Sequence, residues 1–286
     1  GTAGARRRPA VVLEARGAYI IWYRDLLRWW RDRARILPSL VQPLLYLFVF
    51  GLGLGSAIGS AAGGRFGTLP GTGYMTFMYP GVLAMSVLFT SIFGSMSIMW
   101  DREFGFLKEI QVAPISRASV AVGKALGGST VSMLQASLLL VVAPLVGVTL
   151  SVAMVLEVLG LMFLLAFALS GLGVAIASRM RSMEGFQVVI NFVLMPILFL
   201  SGAFFPLQGL PTWLEALTRL DPAAYAVDAL RRVILTTSGV PESAVESLAM
   251  TLPGGAVMPI GLEVLILALF SVAVLTLAVR WFGQTD

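Results

Sequence analysis

The sequence predicts an all-α, polytopic membrane protein, and three observations predict it. Of its 286 residues 58% are apolar and only 12% are charged, where a soluble domain carries roughly 25% charged residues. Mean hydropathy is +0.89. The apolar residues also fall in runs long enough to cross a bilayer, for which about 20 residues suffice. The length accommodates six transmembrane helices joined by short connections and leaves little chain for a folded aqueous domain.

The elements follow in order. Residues 1–8 read as a trimmed start and not as a signal peptide, because the stretch through Arg35 is too charged for an apolar signal core. In residues 11–33, Tyr19, Tyr23, Leu26, Leu27 and Trp30 recur every three or four positions, with Arg24, Arg28 and Arg31 on another face. That spacing predicts an N-terminal amphipathic helix lying in the membrane interface. A solvated helix is the plain alternative, and the apolar run that starts at once after it argues for the interface. The tail and this helix occupy 1–35, and the transmembrane domain 36–281.

Span one covers 36–58, with Pro38 and Pro43 in its first turns, where a missing amide donor does least harm. Gly51, Gly53 and Gly55 near its end suit close helix packing, since no strand and turn surround them to make a nucleotide fingerprint. Span two covers 74–100 and span three 118–142, with Lys124 near its start. Span four covers 152–177, and span five, 186–205, contains the kink-forming Pro196. Segment 206–256 reads as two short amphipathic, re-entrant helices split at Asp221–Pro222, followed by a loop on the outer side. Span six covers 257–281.

Charge sets the orientation. Sixteen of the twenty Lys and Arg residues fall at the N-terminus, in 101–124, in 179–181 or at Arg280, and the remaining four in the alternate loops. The positive-inside rule then predicts both termini in the cytoplasm of a plasma-membrane protein. The same distribution accounts for the net charge of +5 without nucleic acid.

Cys and His are both absent, which excludes disulfides, His-containing triads and His metal sites. No GxxxxGK[ST] loop is present to cradle ATP phosphates, so the chain is not predicted to be an enzyme. Two acids fall inside spans, Glu157 and Glu263. Intramembrane carboxylates are costly and point to function. The plainer role for each is to reach headgroups or loop arginines near the outer surface, and the functional one is to hold a cationic or polar substrate group. Met85, Phe89, Phe93, Phe192 and Phe199 give spans two and five an aromatic, Met-containing character that accommodates amphiphiles and is also ordinary span packing.

Segment 101–117, DREFGFLKEIQVAPISR, carries both signs of charge beside Phe104, Phe106, Leu107 and Ile110. A short cytoplasmic helix of this composition suits docking in a groove on another protein. An ordinary loop lying against the bilayer is the alternative.

With these residues in place the chain resembles the permease subunits of the ABC-2 family of ATP-binding cassette transporters, over about residues 20–281. The resemblance rests on residues 81–126, with Asp101-Arg102-Glu103, Gly105, Leu107, Pro114 and Lys124, and on 201–233, with Phe205-Pro206, Pro222, Tyr225 and Arg231. It runs toward the daunorubicin, drug-resistance branch. The resemblance implies that 101–117 is the coupling helix and that Arg102, Glu103, Phe104, Gly105, Leu107 and Lys108 contact a separate ATPase subunit. Two ATPase copies, which bind the ATP and Mg, would join two copies of the permease, which has no cofactor of its own. The implied cargo is an amphiphilic drug-like molecule or lipid, with a lipid-linked saccharide or polysaccharide as the alternative. An ion-coupled carrier would be expected to show inverted repeats and mid-membrane charge, and a non-transporting scaffold would not need the cytoplasmic helix.

Overall fold

A computed structural model describes residues 10–53, 55, 73–103, 116–252 and 254–283. Their regular structure is helical, apart from one isolated antiparallel bridge between Thr251 and Val257. Helix α1 (Ala10–Arg31) ends at Asp32, whose φ of −91° and ψ of 67° leave the helical region. Helix α2 (Arg33–Leu45) continues into a π-helical turn at Tyr46–Phe50. Pro38 and Pro43 lie inside α2 and not in its first turn, because the helix starts before the expected span does. Pro43 has no N–H to give, and the wider turn follows it directly.

Helix α3 (Tyr74–Gly94) and α4 (Met96–Glu103) meet at Ser95 and form one apolar run from Tyr74 to Glu103. Then come α5 (Arg117–Leu140), α6 (Val152–Arg179) and α7 (Met183–Leu200). Each of these three starts on a serine: the side chains of Ser116, Ser151 and Ser182 accept from the N–H groups of Ser119, Met154 and Gly185. Such caps satisfy amide donors that the first turn leaves orphaned. Helix α7 stops five residues before the expected 205, at a turn in which Gly202 has a φ of +72°, a conformation glycine adopts at no steric cost. Helices α8 (Thr212–Leu220), α9 (Pro222–Thr237), α10 (Glu242–Glu246) and α11 (Ile260–Gly283) complete the chain.

Among the described residues four helices are long and apolar enough to cross a membrane: Tyr74–Glu103, Val152–Arg179, Met183–Leu200 and Ile260–Trp281, with Leu37–Gly53 a shorter apolar helix. Helix α5 has the length, 24 residues or about 36 Å, and less apolarity. It turns its polar side chains inward, with Ser129, Ser132 and Gln135 all buried.

Helix α6 is the centre of the bundle, packed by α3, α5, α9 and α11, while α1 lies along α5. Gly123 permits that last contact: a Cβ there would come within 2.7 Å of the Ala18 carbonyl oxygen. The two short helices after α7 differ in burial. Helix α8 exposes Trp213, Leu217 and Leu220, whereas α9 is enclosed by α3, α6 and α11, with Val227, Leu230 and Ile234 fully buried. On α1 the residues Tyr19, Ile20, Tyr23, Leu27 and Trp30 are exposed, so its apolar stripe faces away from the protein.

Candidate functional site: a charged junction and an internal cavity

The C-terminal end of α4 is held by charge. Asp101, 3% exposed, accepts from Arg24 of α1 at 2.6 Å and lies 2.8 Å from Lys124 Nζ of α5. Lys124 also donates to Asp25 of α1 at 3.1 Å and to Ser97 at 3.0 Å. Arg28 adds a longer contact, 3.8 Å, to the other Asp101 oxygen. A lysine buried this deeply requires carboxylate partners, and here it has two, from different helices. The next residue, Arg102, points the other way and donates to the Met180 carbonyl and, at 3.3 Å, to that of Ser178. These are the last carbonyls of α6, where a cation also opposes the helix dipole. The base of α4 is thereby fastened to α1, α5 and α6 immediately before segment 104–115.

Above the junction, α1, α2, α3, α4 and α5 enclose a cavity of about 240 Å³. Met85, Phe89 and Phe93 line it, with the Phe89 and Phe93 rings stacked 6.3 Å apart. Its polar lining includes Gln42 and Gln135, and the Gln135 amide donates to the Ser39 carbonyl at 2.9 Å. Trp29 and Trp100 stand near the charged end, beside Asp25 and Arg28.

At the opposite end of the bundle lies a second charge cluster on α9. Arg232 Nη2 is 2.6 Å from Glu263 Oε1 of α11, off the line that a hydrogen bond needs, and Arg232 Nη1 donates to the Met258 carbonyl at 2.8 Å. Asp228 sits 3.4 Å from the same guanidinium and accepts from the Met250 N–H. Arg231, 1% exposed, donates to the Gly202 carbonyl at 2.5 Å and lies 4.5 Å over the Phe77 ring. Asp221 caps α9 by accepting from the Ala223 N–H, and burial raises its pKa to about 7.

The residues singled out in the sequence therefore separate. Met85, Phe89 and Phe93 meet in the cavity, while Phe192 and Phe199 are 80% and 58% exposed on α7 and do not reach it. Glu263 is buried in an ion pair and Glu157 is exposed, and no contact joins them. Glu103 is exposed at the tip of α4. Phe104, Gly105, Leu107 and Lys108 lie outside the described residues. Sequence reading did not find Arg24 and Asp25, although a lysine inside a span is a signal that a carboxylate must be nearby. Among the described residues no group of three or more acidic, His or Cys side chains is placed to hold a metal.

A helical bundle with several membrane-length segments, a charge-pinned end and an amphipathic cavity is that of a polytopic membrane protein. The chain belongs to the ABC-2 type transporter family, whose model matches residues 17–235. It is 30% identical to the putative transport permease ycf38 of Cyanophora paradoxa, over 68% of this chain and 66% of that one. It is 29% identical to nodulation protein J of Rhizobium meliloti (strain 1021), over 75% of this chain and 80% of that one. It is 28% identical to the inner membrane transport permease YadH of Escherichia coli (strain K12), over 77% and 84%. A permease subunit of this family moves cargo and performs no covalent chemistry.

Proposed function

We propose that the chain is the membrane subunit of an ATP-driven exporter in the plasma membrane. It spans the bilayer six times with both termini in the cytoplasm, and two copies work with two separate ATPase subunits. The observation that carries this reading is the junction at Asp101 and Arg102. It fixes the base of α4 to three other helices at the very start of segment 101–117, so a push on that segment is passed to the whole inner half of the bundle. Glu103, exposed at the end of α4, is the first residue of the docking surface, and Phe104, Gly105, Leu107 and Lys108 continue it. The apolar faces of the Leu37–Gly53 helix and α7, which expose Val49, Leu52, Phe192 and Phe199, suit lipid and the second copy.

For the cargo we favour an amphiphile with a saccharide head over a drug-like molecule. Amide and hydroxyl groups beside aromatic rings, as in the cavity, suit neutral polar heads. The test is a reconstituted complex of this chain with its ATPase carrying Glu103→Trp. ATP hydrolysis should continue while transport falls at least tenfold. Undiminished transport per ATP would remove 101–117 as the coupling contact. Assaying lipid-linked saccharides against drug-like amphiphiles in the same vesicles decides the cargo class.

A further inference from the structure

The cavity is lined by α1 through α5 of a single chain. Its volume, about 240 Å³, is below the roughly 300–1,000 Å³ of sites that take drug-sized ligands. It has room for one alkyl chain and part of a head, and not for a two-chain lipid.

Its two ends differ in chemistry. At one end Arg28 and Asp32, a helical turn apart, are exposed, and Gln42 faces them from α2. Asp25 and Asp101 at that end are already matched by Lys124 and Arg24. What remains for a ligand is the Arg28 guanidinium, whose contact with Asp101 is a long 3.8 Å, and the Asp32 carboxylate, the two together without net charge, with Trp29 and Trp100 in the same lining. At the other end are Met85, 1% exposed, with Phe89, Phe93 and Val131. The Gln135 amide there is held against the wall by its bonds to Ser39 and Ser86. A head that carries a single charge would pair with one of these two groups and be repelled by the other. A sugar meets no such repulsion: its hydroxyls both give and accept hydrogen bonds, so they can span Arg28 and Asp32, and its C–H faces pack on indole rings.

We propose that this cavity binds a single-chain glycolipid from the inner leaflet, with the sugar at Arg28, Asp32, Trp29 and Trp100 and the chain along Phe93, Phe89 and Met85. The proposal rests on the saccharide-lipid reading of the cargo and names the place in the subunit where the head is held before export. Each methylene added to the chain within the apolar part should tighten binding about fourfold.

The test uses the permease–ATPase complex in phosphatidylcholine nanodiscs. Dodecyl glucoside brominated on its chain is titrated in, and quenching of tryptophan fluorescence is read. The same chain bearing a trimethylammonium or a phosphate head serves for comparison. The glucoside should quench saturably and bind at least tenfold more tightly than either charged analogue. Val131→Phe and Gln42→Phe, one inside the cavity and one on its exposed rim, should each weaken it at least tenfold. Equal binding of all three heads overturns the head assignment, and wild-type binding by both variants overturns the cavity. Export is measured separately. Glucoside binding that the variants abolish, in a complex that exports no saccharide lipid, leaves the site standing and removes the cargo reading. Saccharide-lipid export unaffected by either variant takes the cavity off the cargo's route.

Discussion

Replacing Lys124 by Met tests the charged junction most directly. Lys124 Nζ lies 2.8 Å from Asp101 and 3.1 Å from Asp25, with both its own side chain and that of Asp101 3% exposed. At an effective dielectric of about 20, one such contact carries about 6 kcal/mol of Coulomb energy, much of it offset by desolvation. Removing one partner of a buried pair leaves the other uncompensated and typically destabilises by about 3–5 kcal/mol. Asp101 keeps Arg24 at 2.6 Å, which places Lys124→Met at the lower end, about 3 kcal/mol. Asp101→Asn strips Lys124 and Arg24 of one shared carboxylate and should lose a similar amount or more. The double variant removes both members of the most deeply buried pair, and Arg24 is then left with Asp25 at 3.6 Å. Its loss should fall short of the sum of the two single losses by at least about 1 kcal/mol. The assay is equilibrium unfolding in mixed micelles, with a denaturing detergent as perturbant. A single-variant loss under about 0.5 kcal/mol, or strict additivity in the double, would refute the account of the junction as a buried, mutually dependent cluster.

The remaining predictions use paired controls. Gly81→Ala puts a methyl on the Ala203 backbone carbonyl, which cannot swing aside as a side chain can, so folded yield should collapse with a loss of about 3 kcal/mol. Gly160→Ala meets nothing within 4 Å and should raise thermal stability by about 0.5–1 kcal/mol. Glu263→Gln deprives the buried Arg232 of its contact at 2.6 Å and should destabilise by about 2–3 kcal/mol. Glu157→Gln, at an exposed position, should stay within about 0.5 kcal/mol in the same melt. Asp221 has its folded pKa raised by burial to about 7, so the folded state holds that proton more tightly than the unfolded chain. Its contribution is full at low pH and is lost as pH rises from about 4 through 7. Asp221→Asn should therefore flatten the fall in stability over that range, which a melting series from pH 5 to 8 would read, and an unchanged slope would rule this group out as its source.

The order of the helices was legible because hydropathy, proline and charge each mark it locally. The break at Asp221–Pro222 and the amphipathic α1 came from single residues and a 3.6-residue period, and both are observed. What the sequence concealed is tertiary. Arg24 and Asp101 are 77 positions apart and Asp25 and Lys124 are 99 apart, and nothing local links the charges of α1 to those of α4 and α5. Helix α9 has an alternating polar composition that reads as surface, yet Arg231 and Arg232 find Gly202, Phe77 and Glu263 inside the bundle. Its burial depends on partners from three other helices. Phe89 and Phe192 look alike on paper, and only the packing of α3 against α5 sends one into a cavity while α7 leaves the other outside.

The run from Tyr74 to Glu103 touches both charge clusters. Its C-terminal end carries Asp101 and Arg102, and Phe77 near its N-terminal end lies under Arg231 of α9. Twenty-four residues separate Phe77 from Asp101, about 36 Å along a helix. Ser95 interrupts that rod with a tighter turn, its N–H bonded to the Ile92 carbonyl at 3.1 Å, directly beside the cavity residues Phe93, Gly94 and Ser97. On the proposed function, a displacement at Glu103 therefore has two routes. If Ser95 stays rigid, the movement reaches Phe77 and with it α9 on the outer side. If Ser95 bends, the movement is spent where the Trp29 and Trp100 end of the cavity opens. Fixing this joint separates the two: Ser95→Ala with Gly94→Ala stiffens the helix by about 1–1.5 kcal/mol in propensity. Transport lost with glycolipid binding intact would place the working motion at Ser95, and transport retained would assign it to the rod as a whole.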